Sequence, residues 1–441
     1  MSSHIAIDYL AFPSRSLEGA IQVPGDKSIS HRAIILGSVA EGVTCINGVL
    51  KSEDIATTIN VIRNLGVQID DENEQIFVHG VGKHGLQASN GPLNFNNSGT
   101  SVRLMTGLLA GQEFNSILIG DESLSSRPMG RIVQPLMKMG SDISCSAQGT
   151  LPIQIRGGKR LSAISHEMPV ASAQLKSCLL IAGLYAQGTT NIYEPGVTRD
   201  HTERMLATFG LKVSVKKNCI GISPQTLQAA TINIPGDISS AAFFLVAASI
   251  CPGSDLILKN VGINATRSAV IKILILMGAD IDVVGKKEGG EIEPIADIRV
   301  KHSHLKGIVI PDELVSVAID EFPIIMVAAA YAKGKTVLKD AVELRVKESD
   351  RIEAIANGLK KIGIDVTSRE DGMTVIGGVP KGGEVDSFGD HRIAMAFTIA
   401  AANAKAPIKI LDCINVNTSF PNFLEIASSI GINVKPKIND N

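Results

Sequence analysis

At 441 residues the chain is too long for one ordinary hydrophobic core, so two or more domains are expected. Its 44% hydrophobic and 20% charged residues describe a globular chain rather than a disordered one. With 42 Lys and Arg against 44 Asp and Glu the formal charge is −2, which excludes a global basic field for nucleic acid or a membrane surface. Any cationic site must therefore arise by local clustering.

Taken in chain order, six segments share one plan: a polar start, an apolar run rich in small residues, and usually a closing glycine. They are DKSISHRAIILGSVAEG, NSGTSVRLMTGLLAG, ASAQLKSCLLIAGLYAQG, DISSAAFFLVAASICPG, DEFPIIMVAAAYAKG and DHRIAMAFTIAAANAKAP. The first five stop at Gly42, Gly111, Gly188, Gly253 and Gly334, and the sixth runs into Pro407. Each is followed by a short β-branched stretch, then by a second helical run that closes at Gly66, Gly140, Gly210, Gly278, Gly363 or Gly431 and opens an alternating strand. The unit is about 70 residues long and recurs six times, which predicts an α/β chain of six similar modules. Solenoid repeats are shorter, roughly 20 to 50 residues, so modules of this size are expected to gather into two compact lobes.

The first helix of each module carries little charge beyond its first turn, which predicts burial on nearly all sides. A buried helix has its N-terminus as a polar end, and several such ends brought together make an anion-binding focus. Their residues fit. The first module offers Lys27, Ser28 and Arg32; the second Asn97, Ser98, Gly99, Thr100 and Arg103; the third Ser172, Gln174 and Lys176. The last three offer Asp237, Ser239 and Ser240, then Asp320 and Glu321, then Asp390, His391 and Arg392. Helix capping accounts well for Asp237 and Ser239. It does not account for Lys27, Arg32 or Arg392, since cations are disfavoured at a helix start.

Two further basic clusters lie elsewhere. In SSRPMGRIVQPL, Arg127 precedes Pro128, which suits a first helical position, and Arg131 follows one turn on. LRVKESDRIEAIANGL places Arg345, Lys347, Glu348, Asp350 and Arg351 ahead of an amphipathic helix; a solvated helix face is the plain reading of such alternation. EPGVTRDHTERML sets Arg199, Asp200, His201 and Arg204 at another helix start. Recurrence of basic residues at equivalent module edges, in a chain without net positive charge, points to a ligand bearing several phosphate or carboxylate groups.

Familiar motifs supply no rival. The G-x-x-x-x-G-K-[ST] spacing fails because Pro24, not glycine, stands five residues after Gly19, and no G-x-S-x-G or H-E-x-x-H occurs. His302 and His304 lie in a polar loop and read as exposed rather than metal-ligating. Six scattered cysteines without a C-x-x-C pair argue against zinc or a disulfide framework and for a reducing compartment. Aromatic residues are only 4%, with no tryptophan, which disfavours a base-stacking surface. The first residues lack a signal pattern, and runs such as Ala241 to Ile250 fall short of the roughly 18 apolar residues of a membrane span, so a cytoplasmic protein is expected.

PGDKSISHR, NSGTSVRL, RPMGRIVQPL, SAQLKS, TRDHTERM, DEFP, LRVKESDRI, GDHRIAMAF and SFPNF occur in this order from residue 24 to 423. Together they resemble the 5-enolpyruvylshikimate-3-phosphate synthase family over almost the whole chain. The resemblance implies a two-lobed inside-out α/β barrel of six βαβαββ repeats, three per lobe. One lobe would be discontinuous (1–21 plus 236–441, carrying Asp320, Glu348, Arg351 and Arg392), and the other inserted (22–235, carrying Lys27, Arg127 and Gln174), with the active site in the interlobe cleft. The implied reaction transfers the enolpyruvyl group of phosphoenolpyruvate to the 5-hydroxyl of shikimate 3-phosphate and releases phosphate, on the route to chorismate and aromatic amino acids. No metal or organic cofactor, no nucleic acid and no membrane is implied, and a monomer is expected.

Carried over position by position, Asp320 would accept the hydroxyl proton and Glu348 would handle proton transfer at the methylene carbon. Lys27 would touch both substrates. Ser28, Arg32, Ser172, Ala173, Gln174, Arg199, Asp320 and Lys347 would line the shikimate 3-phosphate site. Gly99, Arg127, Gln174, Arg351 and Arg392 would serve phosphoenolpyruvate, and Asp320 would double as a helix cap. Leu104, the Ser172-Ala173-Gln174 run and the absence of a lysine before Phe420 resemble the family's second major class, some members of which carry alanine where Gly99 stands and exclude the inhibitor glyphosate. Two alternatives are the sister enzyme acting on UDP-N-acetylglucosamine, which usually uses a loop cysteine not found beside RPMG here, and a non-catalytic polyanion-binding module, which would gain nothing from Asp320 and Glu348.

Overall fold

The computed structural model describes residues 6–287 and 293–439. The chain divides into two compact units, one of Met1–Pro24, Pro235–Gly289 and Pro294–Asn441, the other of Gly25–Ile234 and Gly290–Glu293. Each has its own hydrophobic core. Among the described residues the strands form six sheets, three in each unit.

The fold is mixed α/β. The apolar runs form the helices Lys27–Ser38, Gly99–Leu109 and Ala173–Gly183 in one unit and Ile238–Ile250, Phe322–Tyr331 and His391–Ala401 in the other. All six are buried along nearly their whole length, as their lack of charge requires. The second helical runs form Glu53–Asn64, Gly130–Lys138, His201–Thr208, Ala269–Leu276, Arg351–Lys361 and Phe423–Ser429. The glycines closing them have left-handed backbone, with φ of +87° at Gly66, +93° at Gly140, +85° at Gly210, +93° at Gly278, +87° at Gly363 and +99° at Gly431. Only glycine adopts that conformation without steric cost, which is why this residue recurs where each second helix must turn into a strand.

Strand pairing shows how the chain crosses between units. Glu18–Ile21 runs parallel to Asp255–Gly262, so the first strands belong with residues more than two hundred positions later. Within the intervening unit, Thr231–Asn233 closes back as a parallel neighbour of Glu41–Asn47. Near the chain ends, Ala6–Ala11 lies antiparallel to Val434–Asn439.

Small residues let the core helices approach closely. A Cβ added to Gly107 would lie 2.3 Å from the Cys178 carbonyl oxygen, so Gly99–Leu109 and Ala173–Gly183 meet backbone to backbone. Similarly, a Cβ at Gly358 would lie 2.2 Å from Cζ of Phe397, which sets the helix bearing Arg351 against the helix that starts at His391. In the core of the unit that holds His391–Ala401, Phe244, Phe420 and Phe423 pack on one another at centroid distances of 5.5 to 6.0 Å. Among the described residues no helix is long and apolar enough to cross a membrane.

Gly107→Ala should therefore lower stability by about 1–3 kcal/mol, because two helix backbones must separate to admit the methyl group. A urea unfolding curve reads this directly; an unchanged midpoint would contradict the packing described.

Candidate functional site

In the unit built from Gly25–Ile234, the cation at the first helix start is balanced from within. Asp26 caps Lys27–Ser38 by accepting from the Ile29 N–H at 2.9 Å. Lys27 Nζ lies 3.0 Å from Asp54, which stands in the acidic first turn of Glu53–Asn64. Part of the negative charge that makes Lys27 tolerable is thus a residue 27 positions away, which no local pattern marks. Ser28 is half-buried beside it, and its carbonyl accepts from Arg32 Nη1 at 2.9 Å.

Arg32 is buried, and three protein oxygens take its donors: Ser28 O, Thr202 Oγ1 at 2.7 Å and Ser177 Oγ at 2.7 Å. Burial lowers its pKa to about 10, with Glu203 opposing and the nearby charge of Arg199 adding to the shift. The charge of Arg199, on a different helix start, thus opposes that of Arg32. Arg199 itself is half-buried just before His201–Thr208.

The next two helix starts adjoin. Ser172 caps Ala173–Gly183 through the Leu175 N–H, and half-buried Ala173 and Gln174 follow in its first turn. Gln174 Nε2 donates to Thr100 Oγ1 at 3.1 Å, which joins this start to that of Gly99–Leu109. Arg127, buried, donates to Asn97 Oδ1 at 2.6 Å. A Cβ at Gly99 would lie 2.8 Å from Arg103 Nη1 and 3.0 Å from Arg127 Nη1, so the glycine admits two guanidinium groups against the backbone. Contrary to the sequence reading, Pro128 does not open the following helix; that helix starts at Gly130 with Met129 as its cap residue, and Arg127 ends the short helix Glu122–Ser126. Lys176, grouped with the helix-end cations from sequence, is 1% exposed and paired with Glu203 at 2.6 Å and Glu194 at 3.1 Å. It serves the protein interior.

In the other unit, one buried guanidinium organises the carboxylates. Arg351, 1% exposed, donates through Nε to Asp390 at 2.7 Å and through Nη2 to Glu348 at 2.7 Å, and its Nη1 lies 3.5 Å from Asp320. Burial alone would lower its pKa, but Asp390, Glu348 and Asp320 outweigh that and hold it above the ordinary arginine value. Burial likewise works against the charge of Asp390, and Arg351 more than offsets it, so Asp390 stays below the ordinary carboxylate value. Lys347 Nζ lies 3.3 Å from Asp320, and Arg392 Nη1 donates to the Asp320 carbonyl at 2.9 Å.

The charged stretch around Glu348 is therefore not one solvated face. Arg345 pairs with Asp350 at 2.6 Å at the partly exposed end, while Arg351 turns inward. Nor is Asp320 a helix cap: Glu321 takes the cap position of Phe322–Tyr331 without a side-chain capping bond, which leaves the Asp320 carboxylate facing Lys347 and Arg351. Asp237, by contrast, caps Ile238–Ile250 as expected, accepting from the Ser239 N–H at 2.8 Å. Sequence reasoning missed Asp54, Thr202 and Arg267, since each acts through a partner distant in the chain.

Guanidinium groups and carboxylates gather at the starts of buried helices in each unit of this α/β protein. The chain belongs to the EPSP synthase family: the family model described as EPSP synthase (3-phosphoshikimate 1-carboxyvinyltransferase) matches residues 12–426. A Methylococcus capsulatus protein named 3-phosphoshikimate 1-carboxyvinyltransferase is 54% identical over 429 residues, covering 97% of this chain and 98% of its own. A Coxiella burnetii protein of the same name is 52% identical over 432 residues, covering 97% and 98%. The solved EPSP synthase of Acinetobacter baumannii superposes with a TM-score of 0.88 at 47% identity, covering 98% of this chain and 100% of that one.

His31 carries a pH prediction. Fully buried, its Nδ1 lies 2.8 Å from Thr58 Oγ1, and burial, then Lys27 and Arg32, push its pKa well below 6.5. The unfolded chain thus binds a proton near pH 6.5 that the folded chain refuses, so the stability held by neutral His31 is complete above that pH and is lost as pH falls below it, by up to ~1.4 kcal/mol per unit. Urea unfolding at pH 7.5 and 5 should show a smaller acid loss in His31→Gln than in the parent; equal losses would refute the assignment.

Proposed function

We propose that the chain transfers the enolpyruvyl group of phosphoenolpyruvate to the 5-hydroxyl of shikimate 3-phosphate, releasing phosphate, on the route to chorismate and aromatic amino acids. The observation that carries this reading is the pair of carboxylates, Asp320 and Glu348, gathered on the one buried guanidinium of Arg351. A pure anion binder gains nothing from carboxylates among its cations, whereas an addition–elimination needs a base and an acid close together amid positive charge.

In the reaction as proposed, Asp320 accepts the proton of the 5-hydroxyl as its oxygen attacks carbon 2 of phosphoenolpyruvate, and Glu348 delivers a proton to carbon 3. The tetrahedral intermediate then breaks the bond between carbon 2 and the phosphate oxygen, and loss of a proton from carbon 3 restores the methylene group. Arg127, Arg351 and Arg392, with backbone approach at Gly99, hold phosphoenolpyruvate. Ser28, Arg32, Ser172, Ala173, Gln174, Arg199 and Lys347 hold shikimate 3-phosphate, Gln174 also reaches phosphoenolpyruvate, and Lys27 touches both. Lys27, Asp320 and Glu348 are the catalytic groups. Lys347 and Arg351 flank the Asp320 carboxylate at 3.3 and 3.5 Å, so the proposed base sits between two cations.

The same reading takes the two units as the lobes of the family's inside-out barrel, with three βαβαββ repeats each, whose residues serve one reaction. It has the protein act as a cytoplasmic monomer on two small anions, without nucleic acid or membrane. These parts rest on the family resemblance. The alternative acceptor, UDP-N-acetylglucosamine, is disfavoured by the naming of the full-length relatives.

Purified protein mixed with phosphoenolpyruvate and shikimate 3-phosphate should release phosphate only when both are present. Asp320→Asn and Glu348→Gln should each lower kcat by roughly 10²–10⁴ with smaller changes in either KM. No release with this pair, but release with UDP-N-acetylglucosamine, would falsify the proposal. Gly99→Ala should raise the KM for phosphoenolpyruvate by about tenfold or more, because Arg103 and Arg127 must move to clear the methyl group, and should change that for shikimate 3-phosphate far less. Equal effects on both constants would count against Arg127 as a phosphoenolpyruvate ligand.

A further inference from the structure

The carboxylate of Glu321 has no part in the reaction just described, yet its side chain is fully buried among cations. Its Oε1 lies 3.5 Å from Arg392 Nη1 on one side and 3.5 Å from Arg267 Nη1 on the other. Ser239 Oγ donates to the same oxygen and in turn accepts from Arg267 Nη2 at 2.6 Å. Arg267, itself buried, is held a second time by Asp237 at 3.2 Å. The starts of three packed helices, Ile238–Ile250, Phe322–Tyr331 and His391–Ala401, therefore meet around one carboxylate.

We propose that Glu321 is a positioning residue for phosphoenolpyruvate: anchored by Arg267 and Ser239, it holds the guanidinium of Arg392 in place by its charge. The inference rests on the reading that Arg392 binds this substrate. Two adjacent residues grip that guanidinium by different means. The Asp320 carbonyl accepts its Nη1 at 2.9 Å, fixing direction, and the Glu321 carboxylate supplies the counter-charge. A cation so placed is ordered before the anion arrives, and little reorganisation accompanies binding. With a neutral side chain at 321, Arg267 and Arg392 would face each other across a buried position without an intervening charge, and the more exposed of the two, Arg392, would turn away.

Steady-state kinetics of Glu321→Gln with both substrates varied tests this, beside a thermal melt to confirm folding. The KM for phosphoenolpyruvate should rise roughly tenfold, that for shikimate 3-phosphate should stay within about twofold, and kcat should fall less than the first KM rises. A general structural defect would shift both constants together, and that result, or two unchanged constants, overturns the inference. If the glutamine variant fails to fold, Ser239→Ala, which removes one donor to Glu321, should give the same split at about threefold, and its absence there overturns the inference equally. Failure of the underlying reading looks different: the parent protein itself would release no phosphate from the substrate pair.

Discussion

Burial of six nearly chargeless helices is the constraint on which the rest of the molecule depends. Their sides pack so closely that a methyl group at Gly107, or at Gly358 on the helix beside His391–Ala401, would strike a neighbouring helix, which leaves polar groups to collect in the first turns. There the backbone offers N–H groups and a partial positive charge, so anions are welcome and cations need a reason to stay. In one unit the reason is partly internal, Asp54 for Lys27 and the hydroxyls of Ser177 and Thr202 for Arg32. In the other, Arg351 and Arg392 are held by Asp390, Glu348, Glu321 and the Asp320 backbone.

This arrangement turns electrostatic cost into preorganisation. A guanidinium as buried as Arg351 stays protonated because three carboxylates outweigh desolvation, and two of those carboxylates are the groups proposed to move protons. Each carboxylate is oriented by the cation and the cation is kept charged by the carboxylates, so neither can be removed without disturbing the other. Glu321 extends the same logic one layer deeper, where it touches Arg392 and Arg267 rather than substrate.

What could be read from sequence was whatever repeats or is local. The glycines at 66, 140, 210, 278, 363 and 431 marked six helix ends because each demands left-handed backbone, and Asp237 could be named a cap because its partner is two residues away. What could not be read depended on distant pairing. Asp54 meets Lys27 across 27 residues, Thr202 meets Arg32 across 170, and Glu18–Ile21 finds its strand partner in Asp255–Gly262. Local patterns also misled where tertiary contacts won: Lys176 stands at a helix start but is claimed by Glu203 and Glu194, and Asp320 yields the cap position to Glu321.

In the proposed reaction carbon 2 of phosphoenolpyruvate is attacked, and its bond to the phosphate oxygen is the one that breaks. Phosphoenolpyruvate labelled with ¹⁸O in the atom bridging carbon and phosphorus, turned over with shikimate 3-phosphate, reports this directly by mass spectrometry. Recovery of the label in the released phosphate is the predicted result, whereas phosphate released without it, with the label kept in the three-carbon fragment, would mean cleavage at phosphorus and contradict the account.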